Sequence, residues 1–158
     1  MSITNLIFRI YYTICIILVM KSFLVPLDGS KNSQRGLKKS IELAKPENYT
    51  IVGLHVIYTP PGILLGNHKI KFKDNLVKNS KKYFGDAKKI CEKSGINFVG
   101  KLIHGSDSGF DIVNFSKKGK YDMIIIGARG MNPVKQVLLG STSNYVLSHS
   151  KIPVLVVK

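Results

Sequence analysis

Residues 123–130 read Met123-Ile124-Ile125-Ile126-Gly127-Ala128-Arg129-Gly130; nine residues follow, and then comes Gly140-Ser141-Thr142-Ser143. An apolar run that ends in two closely spaced glycines reads as a buried strand. Its loop can turn sharply and approach a ligand, because glycine carries no Cβ. A Gly-Ser-Thr-Ser step that opens a helix adds unpaired main-chain N–H groups, hydroxyls and the positive end of a helix dipole. Together these are the equipment for holding a phosphate chain.

Working outward from this tract, strands and helices alternate. Downstream, a helix over about 142–148, with Val146 and Leu147 facing inward, leads to a closing strand, Pro153 to Val157. Upstream, the strand Asp122 to Ile126 follows a helix over about 110–117 that Asp107 or Ser108 can cap and that turns Val113 inward. Before it stand a strand from Asn97 to His104 and a long basic helix from about Phe72 to Lys93. The inner stripe of that helix is Leu76, Ser80, Tyr83, Ala87 and Ile90, with Phe84 and Cys91 beside it. Tyr58 to Asn67, broken by two prolines, is a loop, and Thr50 to Ile57 is a strand. Phe23 to Leu27 is the first strand; Asp28-Gly29-Ser30 ends it and can cap a helix over about 32–44 that carries Leu37, Ile41 and Ala44 on one face. Strands alternating with helices imply right-handed crossovers and a parallel sheet. The 158 residues suffice for one domain with a sizeable core.

Open α/β sheets bind ligands beyond the carboxyl ends of their strands, where the strand order reverses. The first strand ends in Pro26-Leu27-Asp28 and the fourth in Gly127-Ala128-Arg129-Gly130. If these two strands are neighbours, Asp28 faces the glycine loop across a crevice. A carboxylate there accepts bonds from ribose hydroxyls or an adenine amino group. The glycine amides, Ser141 and Thr142 then take phosphate oxygens, and Val56 offers main-chain groups or an apolar wall to a base. No Walker A sequence, GxGxxG, SGGxDS or HxGH is present. No base stands beside the phosphates, so no catalytic residue and no protein metal ligand is assigned. His55, His68, His104 and His149 have no partner cluster and read as packing or surface residues.

On these residues the chain resembles the universal stress protein family, in its nucleotide-binding branch. Gly127, Gly130, Gly140 and Ser141 fill the family pattern G-x-x-G-x9-G-S/T in register. Val25 to Ser30 looks like the family's first strand and loop, His55-Val56 like its second strand end, and Pro153 to Val157 like its closing strand. The likeness runs from about Met20 to Lys158. It implies a five-stranded parallel sheet of order 3-2-1-4-5 with helices on both faces, Rossmann-like and similar to the adenine nucleotide alpha hydrolases. It also implies ATP as ligand, with Mg²⁺ or Mn²⁺ as its companion, in a cytoplasmic stress-response protein. Asp28 would contact base and ribose, with Pro26 and Leu27 leading into it, and Val56 the adenine. Gly127 and Gly130 would contact ribose and phosphates; Gly140, Ser141, Thr142 and Ser143 would contact phosphates. Arg129 stands where members often have His or Arg. The family commonly forms homodimers by antiparallel pairing of the closing strand, here Val154–Val157. Two other readings stay open: a slow ATPase of the same fold, and a basic nucleic-acid-binding protein.

The chain departs from the family pattern in charge and at its N-terminus. Twenty-four Lys and Arg against nine Asp and Glu give +15, a field that favours polyanions. Asn67 to Ser94 alone holds nine lysines and three acids; few aromatics lie among them for bases to stack on, so a solvated helix face is expected rather than a nucleic-acid surface. Cys15 and Cys91 form no metal-type pair and fit a reducing compartment. Ile3 to Val19, ITNLIFRIYYTICIILV, is 17 apolar-rich residues interrupted by Arg9, which at a bilayer centre costs roughly 2.5–3.5 kcal/mol. It lacks the basic lead and A-x-A site of a cleavable signal. Residues 1–19 stand as a membrane anchor with the domain facing the cytoplasm, as a stretch upstream of a start at Met20, or as a packed or mobile extension, and residues 20–158 as the domain. Membrane contact is expected only through residues 3–19.

Overall fold

A computed structural model describes residues 21–58, 69–131 and 138–158, with side chains from residue 78 onward in the helix that begins at Lys69. The order of elements is β1 (Ser22–Pro26), α1 (Lys31–Ala44), β2 (Thr50–Tyr58), α2 (Lys69–Lys93), β3 (Phe98–Gly105), α3 (Ser108–Lys118), β4 (Met123–Gly127), α4 (Ser141–His149) and β5 (Val154–Val157). The strands form one sheet of order β3-β2-β1-β4-β5, parallel throughout. This is the expected architecture, with element ends shifted by no more than three residues. Of the expected loop Tyr58 to Asn67, Tyr58 closes β2 instead; the rest of that loop and the apolar stretch before Met20 lie outside the described residues.

The strands are covered on both faces, which is why they read as continuous apolar runs. Phe23, Val25, Leu27 and Ile125 point to one side, onto Leu37, Ile41 and Ala44 of α1 and Ala87 and Cys91 of α2. Leu24, Val52, Leu54, Ile124 and Ile126 point to the other, onto Ile112 and Val113 of α3 and Val146 of α4. Burial in the first of these layers pushes the Cys91 thiol up to about 11.

Local signals explain the helix starts. The Ser30 hydroxyl accepts the Ser33 N–H at 3.1 Å and caps α1; the Asp107 carboxylate accepts the Phe110 N–H at 2.8 Å and caps α3. Two expected inward residues are corrected. Ile90 is 38% exposed, whereas Ser80, Ala87 and Cys91 are buried. The cause is Phe84, which lies over Gly100 so closely that a Cβ at Gly100 would stand 3.0 Å from the ring. Seating that ring turns Cys91 inward and Ile90 out. Leu147 is 47% exposed because the inward line of the short α4 is Ser143 and Val146.

Candidate functional site

β1 and β4 pair only at Phe23↔Met123 and Leu24↔Ile124. Their crossovers run to opposite sides of the sheet, so a cleft opens beyond their carboxyl ends. It has a volume of about 430 Å³. Pro26, Leu27, Asp28, Val56, Gly127, Arg129, Gly130, Gly140, Ser141, Thr142 and Ser143 all line it. The structure therefore brings every sequence-selected residue to one place.

Their geometry divides them by task. Asp28 Oδ1 accepts the Ser30 N–H at 2.9 Å. The cap of α1 is Ser30, so Asp28 is not consumed as a helix cap. Its other oxygen looks toward the fourth-strand loop, since a Cβ built on Gly130 would lie 2.9 Å from Asp28 Oδ2. A Cβ on Gly140 would come 3.4 Å from Arg129 Cα. These two glycines form a cradle that side chains would fill.

Gly127 lines the same cleft for another reason. A Cβ there would stand 2.6 Å from the carbonyl carbon of Asn32 and 2.8 Å from the nitrogen of Ser33. Its missing side chain lets the first turn of α1 lie against β4. Ser143 is likewise partly committed: its buried hydroxyl donates to the Ala128 carbonyl at 2.7 Å. The Gly140 N–H donates to that same carbonyl at 2.8 Å. The loop is thereby tied to the helix it precedes.

What α4 leaves open is its first turn. Its N-cap is Gly140, which has no side chain to accept an N–H of the first turn, and the first intrahelical bond runs from the Asn144 N–H to the Gly140 carbonyl. The amides of Ser141, Thr142 and Ser143 precede that bond and belong to the orphan donors of a helix start. All three residues line the cleft. An anion there meets N–H groups and the positive end of the helix dipole together.

Several lining residues are not evident in the sequence. His55, expected in packing or at the surface, lines the cleft. Its Nδ1 contacts the Leu27 carbonyl, and its ring meets the edge of Tyr83 at 5.7 Å, so it ties the ends of β1 and β2 together. Tyr83 in turn lies over Gly29, whose φ of +84° and lack of a Cβ are both needed there. Ser108 and Ile112 complete the wall from α3. Ser108 follows a strand end, and that position is the one signal the sequence offers for it. Among the described residues, no group of three or more His, Cys, Asp or Glu is placed to hold a metal ion.

The model of the universal stress protein family matches residues 20–158. Universal stress protein MJ0531 of Methanocaldococcus jannaschii is 28% identical over 141 residues, covering 87% of this chain and 82% of its own. The solved structure of MJ0577, from the same archaeon, has a TM-score of 0.79 at 28% identity and covers 88% of this chain and 96% of its own. The universal stress protein from Archaeoglobus fulgidus, solved in complex with dAMP, shares the fold with a TM-score of 0.65 at 20% identity, over 88% of this chain and 98% of its own.

Proposed function

The chain belongs to the universal stress protein family, and on that premise we propose that residues 20–158 are an ATP-binding regulatory module. The observation that carries this reading is the uncapped start of α4 opening into the cleft that also holds Asp28. Phosphates would lie against the amides of Ser141, Thr142 and Ser143, in the space that Gly130 and Gly140 leave. The Asp28 carboxylate would accept from ribose hydroxyls or the adenine amino group, and Val56 would border the base. The dAMP held by the Archaeoglobus relative supports an adenine nucleotide as the class of ligand. A divalent cation would arrive with the phosphates, since no protein cluster is assigned to it.

Nucleotide would act by binding one conformation better than another. No catalytic residue is assigned. The proposal includes a homodimer through β5, an edge strand whose four residues are each only half-buried and which would otherwise stay open to pairing. It also includes a cytoplasmic location for the domain.

The test is calorimetric. ATP at about 100 times its Kd should raise stability by about 2.7 kcal/mol. Gly130→Val should abolish the rise and leave the apo protein folded. Absence of any shift in wild type, with or without Mg²⁺, would sink the reading. Denaturing protein purified from cells and identifying the released nucleotide checks it independently. Light scattering of the purified protein tests the dimer, which should weigh twice the single chain.

A further inference from the structure

In a parallel sheet every strand starts at the same pole. Here the starts are stitched together. The Thr50 N–H donates to the Lys21 carbonyl at 3.0 Å and the Asp122 N–H to the Ser22 carbonyl at 2.9 Å. The Ser22 hydroxyl donates to the Lys120 carbonyl at 2.7 Å. The segments that meet there carry lysine in every case. Lys21 precedes β1, Lys45 follows α1 and Lys93 ends α2; all three are exposed. Lys117 and Lys118 end α3, Lys120 lies between α3 and β4, and Lys151 precedes β5, again all exposed. Helix C-termini favour cations, which accounts for Lys93, Lys117 and Lys118. It extends to Lys45, the cap of α1, and to Lys120 and Lys151, each one residue past a helix cap, but not to Lys21, which precedes β1.

The acids at this pole are already engaged. Glu47 pairs with Lys21, Glu92 with Lys88 at 3.6 Å, and the Asp122 carboxylate accepts the Ser22 N–H at 2.9 Å. Seven lysines against these three acids leave a positive surplus on the end of the sheet opposite the cleft. The apolar stretch Ile3–Val19 joins the domain here, through Lys21.

We propose that this lysine pole is a docking face for an anionic membrane surface. Charge complementarity and the point of attachment of residues 3–19 both select that occupant. An apolar segment combined with a basic patch supplies the two signals that stable membrane attachment takes. Docked this way, the domain holds its cleft away from the bilayer, open to the aqueous phase. Nothing in this docking depends on what the cleft binds.

The test is cosedimentation of the full chain with vesicles of phosphatidylcholine alone and with about one-third phosphatidylserine. Binding should be confined to the anionic vesicles and should fall as salt rises. Lys117→Gln, Lys118→Gln and Lys120→Gln together should weaken it, by about fivefold per lysine removed. Lys78→Gln, Lys81→Gln and Lys82→Gln, the same change in charge made midway along α2, should weaken it far less. Equal losses from the two triple variants would reduce the effect to net charge and overturn the proposal. So would equal binding to neutral vesicles, which the apolar stretch alone would explain. Tighter binding of single-stranded RNA with the same lysine dependence would assign the face to nucleic acid and overturn it too. The variants change exposed side chains only, and unaltered thermal unfolding shows that each is folded.

Discussion

At the carboxyl ends of the strands the connections carry close-packed glycines and carboxylates; at the amino ends lysines outnumber the acids seven to three. The first pole has Gly29, Gly105, Gly127 and Gly130, each with another group pressed where a Cβ would stand, together with Gly140, Asp28, Asp107 and Asp111. The second has Lys21, Lys45, Lys93, Lys117, Lys118, Lys120 and Lys151 at the surface. Part of the difference is written by the fold. In a parallel sheet the helices start at one pole and end at the other, so their dipoles favour acids at the first and bases at the second. The rest is chemistry. One pole depends on space, where single atoms decide; the other depends on summed charge, where no single residue does.

The sharpest way to break that contrast is at Gly127. An alanine there places a Cβ 2.6 Å from main-chain carbon of Asn32, which cannot swing aside as a side chain would. Gly127→Ala should cost about 3 kcal/mol or more, as overpacked sites do at their worst, and urea unfolding measures it. If the midpoint holds, α1 does not lie against β4 as tightly as described. Gly130→Ala is the matched control. Among the described residues its Cβ meets only the Asp28 carboxylate, so stability should change by no more than about 0.5 kcal/mol, while nucleotide affinity falls. Asp28→Ala should lower affinity for ATP by about ten- to a hundredfold, the range set by one hydrogen bond to a charged group. Titration calorimetry of a folded variant with undiminished affinity would remove Asp28 from the site.

Much of the glycine pole is legible in the chain itself. Pro-x-Asp at one apolar run's end and Gly-x-x-Gly at another's need only the rule that such ends meet at a reversal of strand order. Direction is what the chain hides. Sequence cannot say that Gly127 opens toward Asn32 and Gly130 toward Asp28, since both are simply glycine. Nor can it say that the Ser143 hydroxyl is spent on Ala128, since a Gly-Ser-Thr-Ser step presents three hydroxyls alike. The contacts of His55 give no signal because its partners, Leu27 and Tyr83, are distant in sequence. Ile90 misleads for the same reason: a helical stripe ignores the bare patch at Gly100 that receives Phe84. The lysine pole is invisible along the chain because its residues are scattered singly, and only the topology collects them.

A smaller effect tests whether Asp28 and the helix cap are separate devices. Ser30→Ala removes the hydroxyl that accepts the Ser33 N–H but keeps the main-chain N–H that holds Asp28. It should cost about 1 kcal/mol of stability and leave ATP affinity within a factor of about two, since the carboxylate keeps its anchor. A large loss of affinity would mean that the cap and the carboxylate move as one unit.

The smallest expected effect is at the other pole, and its smallness is the point. Lys120→Gln with Lys151→Gln changes two exposed side chains on connecting segments, so unfolding free energy should move by no more than about 0.5 kcal/mol. The strand β1 that separates the poles at the switch point has five residues, a span of about 17 Å at about 3.3 Å per residue. Sites farther apart than about 10 Å with no shared partner act additively. The pair combined with Asp28→Ala should therefore give the sum of the separate effects on ATP affinity, with the lysines contributing nothing. A departure from that sum would show the two poles to be energetically coupled, and occupancy of the cleft would then bear on how the lysine face docks.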